Sequence, residues 1–293
     1  MKAILTLGLA ALVACEPEPT SVEFTGTRLM VHALLHAGAD TVSMLVTRVR
    51  GEWPGSEAPS IPVTNAHVRL IQTPDTFTLV TGRGCVSVSG LPDKSDLNNG
   101  CYSAVLAGGV RAGALYELEI DIAGEPPVRG SVRVPEMPVF LAPAPGIELP
   151  SGTPPVFVRW SYPETSPFVE LRLRANRPQC NAAITTPSDA SPRSWLMFTG
   201  VDSATVGANV TCDDTAMERE AARLTVTVYD TAYTRFFRLH FRAEALHLRD
   251  AAVGITGAIG VFGAAASASI PVVVVRTSFY SFTFGPYTNG SPR

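Results

Sequence analysis

Glycine and proline break this chain often: 24 of each fall among its 293 residues. That is about one breaker in every six positions, too dense for long helices and well matched to short strands joined by turns. Hydrophobic residues make up 46% of the chain and charged ones 17%. This balance excludes wholesale disorder, which needs low hydrophobicity and high net charge. A formal net charge of −3 offers no broad attraction to nucleic acid. Length alone suggests about two domains.

Apolar and polar residues alternate along most segments between breakers. In the first half, strands are expected at 23–35, 41–50, 66–72, 77–81, 85–89, 101–106, 115–122 and 128–134. The run Tyr116-Glu117-Leu118-Glu119-Ile120-Asp121-Ile122 is the clearest, with one face to bury and one to wet. Eight short strands at this spacing predict a β-sandwich over 23–135. Seven prolines then fall between Pro135 and Pro155. Proline cannot donate to a ladder, so 136–155 reads as a linker or an extended edge crossover.

A second β-sandwich is expected over 156–287, followed by a short tail at 288–293. Strands are predicted at 156–162, 169–175 and 224–229, with Trp160 as a buried aromatic on an early strand. Two stretches look helical. One is 215–223, with Met217, Ala221 and Leu224 on one side; the other is 231–241, where Tyr233, Phe236, Phe237 and His240 recur at three- and four-residue steps. The 25 residues from Ala251 to Val275 carry no charge and are long enough to span a bilayer. Recurrent glycine (Gly254, Gly257, Gly260, Gly263) and Pro271 argue instead for two buried strands, at 253–262 and 270–275. The alternating aromatics Phe279, Tyr280, Phe282, Phe284 and Tyr287 suggest one more strand. The fold class is therefore mainly β: two consecutive sandwiches of immunoglobulin-like or transthyretin-like type, the second with one or two short helices.

The N-terminus reads as an address. Lys2 precedes an uncharged stretch from Ala3 to Ala14, as in a secretory signal and too short to cross a membrane. It closes on Leu12-Val13-Ala14-Cys15, which resembles the lipobox of bacterial lipoproteins. The resemblance implies cleavage after residue 14 and acylation of Cys15, which anchors the chain in membrane lipid; two or three chains on one residue hold firmly. An ordinary Ala-x-Ala cleavage site is the alternative. Residues 15–22, rich in Pro and Glu, form a short stiff tether, and Glu16 after the cysteine favours the outer membrane. Loss of residues 1–14 leaves 279 residues with a net charge of −4. The mature chain has 21 arginines and one lysine, Lys94. Arginines that alternate along strands, as in Arg172-Leu173-Arg174, read as solvated faces.

Once Cys15 is set aside, Cys85, Cys101, Cys180 and Cys212 remain. An exported chain meets oxidising conditions, so disulfides are expected, and three pairings are possible. The local one, Cys85–Cys101 with Cys180–Cys212, is preferred. No Cys-x-x-Cys pair is present, so no metal site is assigned.

Reactive constellations are scarce. Gly-x-Ser-x-Gly, Ser-x-x-Lys and His-Glu-x-x-His are all absent. His32 and His36 share one face of a strand but lack a third ligand. His240 and His247 read as structural. Asp213-Asp214 suits helix capping, and Asp93, Asp96, Asn98 and Asn99 miss the spacing of a calcium loop. No catalytic residue, metal ligand or cofactor is assigned.

Three stretches of the first unit resemble the transthyretin-like modules also called carboxypeptidase regulatory-like domains: Asn65-Ala66-His67-Val68-Arg69-Leu70, Gly100-Cys101-Tyr102 and Tyr116-Glu117-Leu118-Glu119-Ile120. Here Asn65 stands where glycine is usual, and Cys101 interrupts Gly-x-Tyr. The whole layout resembles the two-β-domain bacterial lipoprotein family known as domain of unknown function 4249. The second unit contributes Val158-Arg159-Trp160, Leu224-Thr225-Val226-Thr227-Val228, Tyr233-Thr234-Arg235-Phe236 and Gly257-Ala258-Ile259-Gly260-Val261-Phe262-Gly263-Ala264. That resemblance implies association with TonB-dependent outer-membrane transporters and carries over no catalytic residue.

The function expected is a non-catalytic outer-membrane lipoprotein, facing the periplasm or the surface, that acts as an interaction or accessory subunit of such a transporter. The alternative is a carbohydrate- or peptide-binding lipoprotein, with Trp53, Trp195 and the terminal aromatics as platforms and Trp53 the most exposed candidate. A hydrolase built on Glu164, Asp202 and Asp213 ranks last.

Overall fold

A computed structural model describes residues 27–50, 61–81, 85, 100–151, 155–161, 168–186, 189–193, 195–212, 219–242 and 252–275. The signal sequence, Cys15, the tether, Trp53 and the aromatic tail lie outside these residues.

The first half is built from short alternating strands. They are β1 (Thr27–His36), β2 (Thr41–Arg50), β3 (Ile61–Pro62), β4 (His67–Gln72), β5 (Asp75–Thr81), β6 (Cys101–Val105), β7 (Leu115–Asp121) and β8 (Val128–Arg133). Strand β7 buries Tyr116, Leu118 and Ile120 and turns Leu115 and Glu117 outward, the alternation written in its sequence. Its neighbour β4 sets Val68 opposite Ile120 and Leu70 opposite Leu118. Strand β5 joins the two layers, pairing along β4 and then, through Val80 and Thr81, with β6. Tyr102 is fully buried between them; its hydroxyl donates to the Val63 carbonyl and accepts from the Ala66 N–H, both at 3.0 Å.

The proline-rich crossover is not structureless. It carries β9 (Val139–Ala142) and β10 (Glu148–Pro150). The second sandwich adds β11 (Val156–Ser161), β12 (Val169–Ala175), β13 (Cys180–Thr186), β14 (Asp189–Arg193), β15 (Trp195–Phe198), β16 (Ser203–Cys212) and β17 (Arg219–Tyr229). After β17 come α1 (Thr231–Arg242), β18 (Ala252–Val253), β19 (Ile255–Thr256) and β20 (Ile259–Val275). One layer runs β14-β13-β16-β11-β9 and faces the β15-β12-β17-β20 layer. Trp160 is wholly buried between them, as expected from its place on an early strand. The linker assigned to 136–155 is thus an edge crossover that supplies strands to both layers, because β9 pairs with β11 and β10 with β20.

Three expectations need correction. Residues 219–223, read as part of a helix, open the long strand β17. Their pattern alternates one to one, with Glu220 and Ala222 buried and Arg219, Ala221 and Arg223 exposed. The helical stripe through Ala221 and Leu224 was therefore the wrong period; residues 215–218 lie outside those described. The separate strands at 253–262 and 270–275 are replaced by β18, β19 and the continuous 17-residue β20. Pro271 does not end β20. The Pro271 carbonyl accepts from the Gly146 N–H at 2.7 Å, so its missing donor faces that edge and not the β17 ladder.

The third correction concerns the unit boundary. Residues 259–265 of β20 pair in parallel with β1, and residues 265–275 pair antiparallel with β17. Ala265 lies opposite both His36 and Tyr229. Ile255, Phe262 and Ala264 belong to the core of the first sandwich, although sequence order places them in the second. Gly260 makes the close pairing with β1 possible: its φ is 104°, and a Cβ there would collide with the Val31 carbonyl. The uncharged stretch is thus sheet, and no described helix is long and apolar enough to cross a membrane.

Both preferred disulfides are present, Cys85–Cys101 and Cys180–Cys212. The second joins directly opposed residues of β13 and β16.

Candidate functional site

Helix α1 forms where sequence periodicity placed it. Asp230 caps it, accepting from the Ala232 and Tyr233 N–H groups at 3.0 and 3.1 Å. The same carboxylate accepts from the Ala264 N–H at 2.9 Å, tying the helix start to β20 where the two sandwiches meet. Burial pushes the Asp230 carboxyl above its ordinary range, against the pull of these backbone donors. Tyr233, Phe236 and Phe237 pack down onto Phe168, Tyr229, Val261 and Ala265.

A polar cluster sits beneath this aromatic lid. Glu170 is buried, yet it stands on the outer face of β12. It accepts from the Tyr229 hydroxyl at 2.7 Å and pairs with the Arg172 guanidinium at 2.7 Å. Tyr229 stacks on Tyr233 with ring centroids 5.0 Å apart. Burial first, and the Glu170 charge second, push both phenols well above their ordinary range, so they remain proton donors. His32 and His36 share one face of β1, as expected. The His32 ring meets Phe236 at 5.6 Å and Tyr233 at 6.4 Å. Burial lowers the His36 pKa, offset in part by the Glu170 charge.

The cluster balances a buried carboxylate with one guanidinium and satisfies it with one phenol hydrogen bond, and aromatic rings pack above it. These bonds tie β12 to β17 within the second sandwich, while the His32 contacts with Tyr233 and Phe236 and the Asp230–Ala264 bond reach the strands where the two sandwiches meet. Glu170, Arg172, Tyr229 and Asp230 were not singled out from sequence. The only signal was an acid at the head of the Glu170-Leu171-Arg172-Leu173-Arg174 alternation, which reads as an ordinary wet face.

The other sequence candidates scatter. Asp202 is exposed on the opposite layer, 3.7 Å from the Arg159 guanidinium. Glu164, Asp213, His247 and the 93–99 acidic cluster lie outside the described residues. The His240 side chain also lies outside them. Trp195 is half-buried on β15, edge-on to Phe237 at 6.5 Å. Cys180, Cys212 and Glu220 approach one another closely enough to hold an ion, but the sulfurs are bonded to each other and offer no thiolate.

On the far layer, the outer face carries large apolar side chains. Val139 and Leu141 of the edge strand β9 are 56% and 53% exposed, and Phe157 of β11 is 53% exposed. Their inward neighbours Phe140, Val158 and Trp160 fill the core, so alternation forces these three outward.

Fold and site together define a mainly β protein of two sandwiches joined by a shared strand and a helix-covered junction. No family model matches this chain. No curated protein matches it either. Among solved structures it is similar to the crystal structure of DIP-gamma IG1+IG2 at 9% identity, covering 87% of this chain and 99% of that one with a TM-score of 0.22.

Proposed function

We propose that the protein is a non-catalytic, lipid-anchored accessory subunit of the bacterial outer membrane that docks on a TonB-dependent transporter. Acylated Cys15 supplies the anchor, and the tether at 15–22 holds the sandwiches near the membrane. The observation that carries the docking reading is the outward apolar face of Val139, Leu141 and Phe157. Large apolar groups gathered on a rigid sheet and rimmed by polar ones such as Arg159 and Ser161 suit a protein contact. The non-catalytic reading is supported by how these ionisable groups are used: Glu170 is held by Tyr229 and Arg172 within the second sandwich, and Asp230 caps α1 and ties it to β20. The resemblance of the layout to lipoproteins associated with such transporters points to the same partner.

The test is gentle detergent extraction from the native membrane, cross-linking, and identification of what copurifies. A TonB-dependent transporter is expected, and it should be lost from a Leu141→Asp, Phe157→Asp double variant that keeps its melting temperature. Recovery of the wild-type protein alone after cross-linking would refute the reading. A Cys15→Ser variant should leave the membrane fraction.

A further inference from the structure

Beside β15 the second sandwich opens into a hollow of about 850 Å³, within the range of small-molecule sites. Strand β15 ends opposite Arg172, whereas β12 continues through Leu173, Arg174 and Ala175. The lining includes Arg172, Arg174, Arg177, Arg223, Trp195 and Asn181. Two of the four guanidiniums have carboxylates: Arg172 pairs with Glu170 and Arg177 lies 3.6 Å from Glu220. Arg174 and Arg223 stand directly opposite each other across the β12–β17 ladder, both exposed. Neither is ion-paired with a carboxylate of the described residues. Like charges facing each other across a ladder repel, so this pair weakens its own sheet unless an anion joins it. In a chain of net charge −3, such local positive charge is not a consequence of overall composition.

We propose that this hollow binds an acidic saccharide. Guanidiniums hold carboxylate or phosphate groups through paired hydrogen bonds. The Trp195 ring offers an apolar wall of the kind against which sugar rings pack, and the Asn181 amide offers a donor and an acceptor for hydroxyls. The combination of cations, an aromatic wall and an amide distinguishes a charged sugar from a bare anion. This site is independent of the apolar face on β9 and β11, so either reading can fail without the other.

The test is calorimetric titration of the purified full chain with four probes: a trigalacturonate, its neutral galactose counterpart, a sugar phosphate and inorganic phosphate. An acidic saccharide should bind, weaken as salt rises, and exceed the neutral counterpart at least tenfold. The Arg174→Gln, Arg223→Gln double variant should lose at least tenfold in affinity without a lower melting temperature, because the exchange removes only a repulsion between exposed groups. Trp195→Ala should weaken the saccharide and leave inorganic phosphate unaffected. The two acidic arms separate a carboxylate-bearing from a phosphate-bearing ligand. Failure of both acidic saccharides to bind overturns the proposal, as does binding unchanged in the double variant. Inorganic phosphate binding as tightly as the saccharides would reduce the site to a simple anion site and also overturn it.

Discussion

The Tyr229 hydroxyl donates to the Glu170 carboxylate across 2.7 Å, linking β17 to β12 two positions beyond the Glu170–Thr227 opposition. Replacing Tyr229 with Phe keeps the ring stack on Tyr233 but leaves the buried carboxylate with Arg172 alone. The expected loss is about 1.5–3 kcal/mol, the usual cost of a hydrogen bond to a charged group. Urea unfolding checks it, and a change indistinguishable from zero would mean the bond contributes nothing.

Because β20 serves both sandwiches, the first should not fold without the end of the chain. A fragment ending at residue 135 lacks Ile255, Phe262 and Ala264 from its core, and β1 loses a ladder partner. It should be protease-sensitive and regain protection when residues 252–275 are restored. In the whole protein, Phe262→Ala should cost about 3–5 kcal/mol, as for other buried phenylalanines. A stable, cooperatively unfolding fragment would show that the units are separable.

The two disulfides close loops of different size, with sequence separations of 16 and 32. In the chain-entropy model they contribute about 3 and about 4 kcal/mol. Paired Cys→Ser variants should therefore both lower the melting temperature, with Cys180–Cys212 the more damaging. The reverse order would show that native-state contacts outweigh loop entropy.

Acidification should act in two steps. Burial holds the folded-state pKa of His36 below the ordinary 6.5, so the folded chain binds fewer protons there than the unfolded one. Its contribution is complete above 6.5 and is lost as pH falls through the lower folded value. Arg48 hydrogen-bonds Glu125 and holds it below the ordinary 4.5, so that contribution is complete above 4.5 and is lost at more acid pH. Stability measured downward from neutral pH should fall in both windows. His36→Gln should remove the first and leave the second. An identical profile for the variant would exclude His36 as its source.

Asp230 holds α1 and β20 together through three backbone donors. Asp230→Ala should cost about 1–2 kcal/mol, the cap itself setting the lower end. Hydrogen exchange should rise at Ala232, Tyr233 and Ala264 together. Faster exchange in the helix alone would separate the cap from the strand tie.

Local periodicity was enough to place most strands and the helix. Val68-Arg69-Leu70 and Tyr116–Ile120 alternate because each residue's face follows from its immediate neighbours, and Tyr233, Phe236 and Phe237 declare a helix in the same way. The even count of cysteines beyond Cys15 and their spacing favoured the bridges that form. Where a period was ambiguous, as at 219–223, the tertiary setting decided: pairing of β17 with both β12 and β20 leaves room only for an extended chain.

What the amino-acid order determined on its own was therefore the alternation, the breakers and the four cysteines available to pair, with the local pairing preferred among three. What only the tertiary structure decided was partnership between distant segments. That β20 would finish the first sandwich, that Tyr229 would reach Glu170, and that Arg174 would face Arg223 depend on strand order and register. Those are set by which buried faces fit together across the whole chain, and no window of neighbouring residues carries that information.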